Sequence, residues 1–403
     1  MEKSVAAKVS NHIYDDDVAF VILSKLSLKS LFRFCCVCKS WSVLFQNPYF
    51  MDMFRRNFLS MDHSYYNDTS TFLYHTAPDH GCVSKLTPPV LYSLFGERFE
   101  NMVKLDWPNP LDYITFYPRG STSINGILCV EGTTRGRTMD KRVAFWNPAT
   151  HEFKVAPPSP FAFESSCCIP SIDFYGFGYD QVRDDYKVIR RIKFYKDDRV
   201  SSGRPDTLWE IYCLKNNSWR RLDLNMPTQF CANVGVQVYT DGVCHWWGDY
   251  DPESESEINR DNNYLVSFDL SNETFVKTYI PSNMDYIDST TALVNRHLNL
   301  LNGSIVLIST YEETNTFHIS ILGEVGIKDS WIKLFIVGPL PICVWYPIGI
   351  GKKGNIFFMK KDDELVWFNL NTQKIEELGL KGGFFCRIMI YKESFLSFEG
   401  INN

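Results

Sequence analysis

Long apolar runs are missing from this chain of 403 residues. None reaches the roughly 18 residues that a membrane-crossing helix needs. The best candidate, 334–350, is interrupted by Pro339, Pro341 and Pro347. Residues 1–17 are polar and end in Asp15, Asp16 and Asp17, so the apolar centre of a secretory signal and the Arg-rich, acid-poor texture of a transit peptide are both absent. Cysteine is too sparse for a disulfide scaffold, 12 in all. The expected setting is a reducing one, cytoplasmic and/or nuclear, with no membrane partner. The glycosylation-type triplets at Asn67, Asn216, Asn272 and Asn302 then have no role. A basic excess is lacking too: 41 Lys and Arg stand against 47 Asp and Glu, a net charge of −6. That argues against nucleic acid as a partner.

Linear signatures of chemistry are equally scarce. There is no Gly-x-Ser-x-Gly and no His-Glu-x-x-His, and the eight His are scattered. Cys35 and Cys38 form a Cys-x-x-Cys without the second pair that a structural zinc site wants, so these thiols read as small buried side chains. Cys167 and Cys168 sit in a Pro-flanked loop and read as free thiols. Gly349, Gly351 and Gly354 spell Gly-x-Gly-x-x-Gly, but strand-like Asn355-Ile-Phe-Phe-Met follows where a phosphate cradle needs a helix. A hairpin turn is the better reading. No catalytic residue, metal or cofactor is expected, although a triad assembled in space leaves no linear trace.

What the chain does have is aromatic rings: 30 Phe, 21 Tyr and 10 Trp. With 23 Gly and 19 Pro as punctuation, they indicate strands and turns. Two periods divide the sequence. Within 15–57, Val18, Ala19, Ile22, Leu23 and Leu26 recur at helical spacing behind an acidic cap, then Leu28, Leu31, Phe32 and Cys35, then Val37, Trp41, Leu44 and Phe45. After residue 70, short alternating runs are bounded by Gly, Asn, Asp and Pro.

A weak repeat runs through this second part. Asn147, Asp269 and Asn369 each end an apolar strand, with a Thr shortly after and then a bulky apolar residue. Looser copies centre on Cys213 and Ile321. Asn125-Gly126, Asp241-Gly242, Asn302-Gly303 and Lys353-Gly354 mark hairpins ahead of most of them. Two hairpins per unit is the content of a propeller blade. Residues 71–108 supply a further unit that the strands at 386–398 can complete. About six blades of roughly 56 residues fit 71–403, with packed two-sheet sandwiches as the alternative.

Residues 14–58 resemble an F-box, on Val21-Ile-Leu-Ser-Lys-Leu26, Leu28-Lys-Ser-Leu31-Phe-Arg-Phe34, Val37-Cys-Lys-Ser-Trp41 and Asn47-Pro-Tyr-Phe50. The rest resembles the plant F-box-associated domain, grouped with kelch-like propellers, on Phe145-Trp-Asn-Pro-Ala-Thr150, Tyr175-Gly-Phe-Gly-Tyr-Asp180 and Asp185-Tyr-Lys-Val188. The resemblance implies a mainly β protein with a small all-α N-terminal domain. A flexible stretch, 1–13, precedes a three-helix F-box with linker helix, 14–58, and a β-propeller-like substrate-binding domain, 71–403. It further implies a non-catalytic substrate receptor of a Skp–cullin–F-box ubiquitin ligase. A Skp-type adaptor, and through it cullin, would bind one end and an unidentified protein substrate the other. A scaffold that binds the adaptor without ligase function is the alternative, because the two prolines usual in F-boxes are replaced by Tyr14-Asp15 and Ser27.

Three short helices bury too little surface to stand alone, and an adaptor would cover the surplus apolar face. The expected adaptor contacts are Tyr14, Asp15, Val18, Ser27, Leu28, Val37, Cys38 and Trp41; Ile22, Leu23, Leu31 and Phe34 read as core. For the substrate the candidates are rings at strand ends: Trp246, Trp247 and Tyr250, and Trp345 with Tyr346. Neighbours on a strand point to opposite faces, so one of each adjacent pair can reach the surface; packing between blades is the default reading and a binding role the alternative. The acidic stretch 249–261 reads as a solvated loop or, less simply, a lip for a basic partner. The bases of 183–199, Arg183, Lys187, Arg190, Arg191, Lys193, Lys196 and Arg199, read as a solvated hairpin.

Overall fold

A computed structural model describes residues 12–26, 30–31, 33–34, 41, 47–60 and 69–394, in the last span all but 76–88, 97, 107, 109–114, 134–140, 164–167, 197–205, 225, 227–236, 249–263, 282–293, 312, 341–343, 352–353 and 384–385. The chain divides into two compact units, Met1–His63 and Ser64–Asn403. Among the described residues no helix is long and apolar enough to cross a membrane.

The first unit contains helices α1 (His12–Leu23) and α2 (Pro48–Ser60). Asn47 caps α2: its side-chain oxygen accepts the N–H groups of Tyr49 and Phe50 at 2.9 and 3.2 Å, while Pro48 takes the first helical position, where no N–H is needed. Leu23, Leu31, Phe50, Met51 and Phe54 are buried, and Phe20 meets Phe50 edge-on at 5.5 Å. A polar tie joins the helices: Asn57 Nδ2 donates to Ser24 Oγ at 2.6 Å, and that hydroxyl donates to the Val21 carbonyl at 3.0 Å. Leu23 and Leu31 are core, as expected. Ile22 and Phe34 are not; both are exposed. At 100° per residue, Phe20, Leu23 and Ser24 share the side of α1 that faces α2, which turns Val18 and Ile22 to the opposite side.

The second unit is built of strands: β1 (Thr69–His75), β2 (Val90–Phe95), β3 (Asn101–Leu105), β4 (Thr115–Ile124), β5 (Ile127–Thr133), β6 (Lys141–Asn147) and β7 (Glu152–Val155). Next come β8 (Cys168–Asp180), β9 (Asp185–Lys196), β10 (Asp206–Cys213) and β11 (Ser218–Leu222), then β12 (Val238–Thr240), β13 (Val243–Gly248), β14 (Tyr264–Asp269) and β15 (Thr274–Tyr279). The rest are β16 (Val294–Leu301), β17 (Ser304–Tyr311), β18 (Thr316–Leu322), β19 (Trp331–Val337), β20 (Val344–Ile350), β21 (Ile356–Lys360), β22 (Glu364–Asn369), β23 (Lys374–Lys381) and β24 (Arg387–Lys392). From β8 to β23, successive groups of four form four antiparallel sheets. An eight-stranded sheet runs β3-β2-β1-β24-β4-β5-β6-β7. There β24 pairs antiparallel with β1, Phe72 opposite Met389, and meets β4 in a single parallel pair, Ile390 opposite Thr122. The strands near the end of the chain thus complete the sheet begun by its first strands. β4, β8, β12, β16, β20 and β24 neighbour one another in that order, and β24 returns to β4.

Local chemistry explains the turns. Asn125-Gly126, Asp241-Gly242 and Asn302-Gly303 carry two consecutive positive φ values, 50° and 81°, 49° and 82°, and 52° and 75°. That is the mirror-image turn whose twist suits a two-residue hairpin. The repeat seen in the sequence is a second turn type. The Asn147, Asp269 and Asn369 side chains accept backbone N–H groups two or three residues on, at 2.7–3.1 Å. Four residues after each, His151, Glu273 and Gln373 take positive φ. Asp180 makes the same turn at the end of β8, with Asp184 left-handed. The looser copy at Ile321 has no such turn; a short 3-10 helix, Lys328–Ser330, leads to β19 instead. Gly349 and Gly351 lie at the end of β20, whose Ile350 pairs with Ile356 of β21, so the glycine-rich run is the expected hairpin.

The rings fill the spaces between sheets. Phe145 of β6 stacks on Tyr212 of β10 at 5.6 Å, and Phe317 of β18 meets Phe358 of β21 at 4.6 Å. Tyr175 and Trp209 of the β8–β11 sheet pack with Trp246 and Phe268 of the β12–β15 sheet. Fully burying one such side chain contributes roughly 1.5–3 kcal/mol.

Candidate functional site

In the helical unit the candidate site is the side of α1 turned from its core. Val18 is 59% exposed and Ile22 57%, and as an i, i+4 pair they form one apolar strip, with Val21 half-exposed beside it. Phe34 and Tyr49 are exposed as well. Phe34 meets Trp41 edge-on at 5.6 Å, which leaves Trp41 half-buried. Of the expected adaptor contacts, the structure therefore presents Val18 and, in part, Trp41. Tyr14 and Asp15 fall within α1, but their side chains lie outside the described residues, as do Ser27, Leu28, Val37 and Cys38. The sequence reading placed Ile22 and Phe34 in the core and did not single out Tyr49; all three are exposed. The i, i+4 spacing of Val18 and Ile22 was the available signal.

The expected substrate rings fare differently. Trp246 and Trp247 do point to opposite faces of β13, but each enters a core. Trp246 is 2% exposed among Tyr175, Trp209 and Phe268. Trp247 is half-buried against the cluster of Leu265, Leu298 and Leu307, with the Arg296 guanidinium 5.7 Å from its ring. Packed sheets on either side leave only part of Trp247 open, so of this pair Trp246 is buried and Trp247 half-exposed, mainly packed between sheets. Tyr346 is half-buried beside Phe357 and Trp367, its hydroxyl 3.8 Å from Met359 Sδ, and burial pushes that hydroxyl up to about 12. Tyr250 and the Trp345 side chain lie outside the described residues, as does the acidic stretch 249–261.

The basic run is the second correction. Lys187, Arg190 and Arg191 are buried rather than solvated, because each meets acceptors inside the sheets. Lys187 Nζ donates to Asp180 Oδ2 at 2.7 Å and to the Leu270 carbonyl at 2.8 Å, tying the β8–β9 hairpin to the β14–β15 turn. Arg190 pairs with Glu210 and lies over the Trp219 ring at 3.6 Å; Ser159 donates to the other Glu210 oxygen at 2.5 Å. Arg191 reaches Asp173 at 3.0 Å. Arg119 of β4 repeats the pattern with Glu131, Nε to Oε2 at 2.6 Å. Burial alone would raise the Asp180 carboxyl, but hydrogen bonds from Lys187, Ser271 and Arg183 hold it well below the usual carboxylate range. These clusters are paired structural charges. Among the described residues no group of three His, Cys, Asp or Glu side chains is placed to hold a metal ion.

A small capped helical unit with apolar side chains outside is thus followed by a circuit of antiparallel sheets. Comparison with known families is specific on both parts: the F-box domain matches residues 15–52, and the F-box associated beta propeller domain matches residues 119–397. The chain belongs to the F-box proteins that carry a C-terminal F-box-associated beta propeller domain. Among its Arabidopsis thaliana relatives, it is 26% identical to F-box protein CPR1 over 255 residues, 59% of each chain. F-box protein At4g22390 is 25% identical over 59% of this chain and 60% of its own length. The chain thus spans about three fifths of these two relatives. The match to F-box protein At1g30790 is longer, 24% identity over 91% of this chain and 89% of that one. Among solved structures, an oligogalacturonate lyase in complex with manganese superposes with a TM-score of 0.37 at 12% identity, over 72% of this chain and 70% of its own, too distant to carry an argument.

Proposed function

We propose that the chain is a non-catalytic substrate receptor of a Skp–cullin–F-box ubiquitin ligase, working in the cytoplasm or nucleus. The F-box holds a Skp-type adaptor and, through it, cullin. The strand unit, read as a six-bladed propeller closed by β24 on β1, holds a protein substrate. Its mechanism is proximity: a held substrate meets the conjugating enzyme at a raised local concentration. The F-box is read as three-helical, with Tyr14, Asp15, Val18, Ser27, Leu28, Val37, Cys38 and Trp41 as its adaptor contacts, to which Ile22 is added.

The observation that carries this reading is the Val18–Ile22 strip, apolar and exposed on a unit whose core lies on the other side of the same helix. An adaptor's helices would remove it from water. The test is titration calorimetry of the full chain with a purified Skp-type adaptor. The unaltered chain binds, and Val18→Glu with Ile22→Glu weakens binding by about tenfold or more, since each buries a charge in an apolar contact. No binding by the unaltered chain overturns the ligase reading. Binding of adaptor without recruitment of cullin leaves a scaffold.

A further inference from the structure

The strands β4, β8, β12, β16, β20 and β24 neighbour one another in a circuit that closes where β24 meets β4. Carboxylates are scarce along it. β4, β12, β16, β20 and β24 contain no Asp or Glu, yet carry Arg119, Arg296, Arg387 and Lys392. The acids of β8 are Asp173 and Asp180, and they are engaged by Arg191 and Lys193 and by Lys187.

At the closing seam Ile390 stands opposite Thr122 in a parallel pair. Three residues before each come Arg387 and Arg119, which brings two arginines to the same stretch of adjacent strands. Arg119 is 3% exposed. Its Nε and Nη2 both grip Oε2 of Glu131, and Nη2 also donates to the Tyr117 hydroxyl at 3.0 Å. Nη1, off that edge of the guanidinium, is buried and meets no acceptor among the described residues. The carboxylate acting on both arginines is Glu131, and its second oxygen already has Lys141 Nζ at 3.6 Å. Burial and the charge of Arg119 push Arg387 down to about 10. Arg387 is only half-buried, so the pair stays open to a small ion.

We propose that Arg119 and Arg387 together hold a phosphate group at the seam between β4 and β24. Arg119, Arg387 and Lys141 against Glu131 leave two positive charges, which a phosphate dianion balances. The two N–H groups of Arg119 Nη1 and the fork of Arg387 can each meet an oxygen of one tetrahedral ion. The depth of Arg119 admits a small ion and keeps out a docked chain. Bridging the two strands, the ion fastens the end of the chain to β4, where the backbone makes a single parallel pair. This site is separate from the receptor reading, and its test uses no adaptor.

The test is equilibrium dialysis of radiolabelled inorganic phosphate against the full chain in Tris chloride, with melting curves beside it. Saturable uptake of one ion per chain is expected, and phosphate should raise the melting temperature where sodium chloride of the same ionic strength does not. Arg387→Gln leaves the Arg119–Glu131 pair in place and should weaken uptake by more than about tenfold; Arg387→Lys, which keeps the charge but not the fork, should weaken it less. Lys374→Gln, on the edge strand β23, should change nothing. Stronger competition by phenyl phosphate than by unlabelled phosphate would support the site as one for a small phosphate ester, and the reverse as one for the free ion. No saturable uptake by the unaltered chain at millimolar phosphate overturns the proposal whether or not the variants fold. So does a folded Arg387→Gln that binds as the unaltered chain does, or a melting shift that chloride reproduces.

Discussion

The two units distribute polarity in opposite ways. In the helical unit, Val18, Ile22 and Tyr49 stand in water, and the side chains buried among the described residues are apolar apart from Ser24. In the strand unit, Arg119, Glu131, Asp180, Lys187, Arg190 and Glu210 are all buried and paired. Exposed apolar surface on a small unit is surplus that a partner can cover. Buried charge is the reverse: it couples one strand to the next only while both members stay in place. The first unit therefore offers apolar surface to water while the second holds itself in register by internal pairs, and substitutions should separate them.

The largest effect belongs to the buried charges. Glu210→Ala removes the acceptor of the Arg190 guanidinium and of Ser159 and leaves a cation stranded inside the β8–β11 sheet. Breaking a buried pair from one side costs about 3–5 kcal/mol. Urea unfolding followed by tryptophan fluorescence should show that loss in the transition of the strand unit, with adaptor binding unchanged. Replacing both partners, Arg190→Met with Glu210→Leu, should recover most of it, because the desolvation of two charges disappears together. A loss below about 1 kcal/mol for Glu210→Ala would mean that the pair is idle and the contrast between the units false.

Acid should reach the strand unit by another route. His245 and His297 are held neutral by burial, His297 also by the nearby Arg387 charge, with pKa values lowered from 6.5 to about 3 and about 4. The unfolded chain takes up these protons below pH 6.5, where the fold refuses them. Stability is therefore full above about pH 6.5 and falls as pH drops toward the folded values. At 1.36 kcal/mol per unit, about 2 kcal/mol is lost for each histidine between pH 6.5 and 5. The depressed carboxyl of Asp180 works in a lower window: its contribution is complete above about pH 4 and lost only beneath it. Denaturation at pH 7 and pH 5 should show the drop, and His245→Gln should roughly halve it. An unchanged drop in that variant would locate the acid sensitivity elsewhere.

Much of the fold was legible because turn chemistry is local. Asn147, Asp269 and Asn369 each announce a turn from within a few residues, and the Asn-Gly and Asp-Gly hairpins do the same. The closure of β24 on β1 followed from counting strands. What was not legible depends on neighbours distant in sequence. Lys187 alternates along β9 as a solvated base would, yet the groups that bury it, Asp180 and the Leu270 carbonyl, belong to β8 and the β14–β15 turn. Trp246 and Trp247 obey the two-residue period of a strand; only the sheets packed on both sides decide that Trp246 is buried and Trp247 half-buried. On α1 the failure was one of phase. The pattern marks Val18, Ile22 and Leu23 alike as apolar, and the side that meets α2 is set by Phe50 and Phe54, more than 25 residues on.

The smallest expected effect is the most discriminating. Ile22→Ser deletes an apolar side chain from a helix, which in a core position would cost 2–5 kcal/mol, about the range of other large-to-small changes. Ile22 lies opposite the packed side of α1, so the folded unit loses almost no contact, and exchanging one exposed side chain for another is worth within about 0.5 kcal/mol. The same substitution removes half of the apolar strip offered to an adaptor. Melting of the full chain should stay unchanged while adaptor affinity falls. Leu23→Ala, one residue on but buried, should reverse the ranking, lowering stability by about 2–5 kcal/mol through the cavity it leaves beside α2. If Ile22→Ser instead destabilises the unit as Leu23→Ala does, Ile22 is core, α1 is rotated from the phase seen here, and the exposed strip that separates the two units is lost.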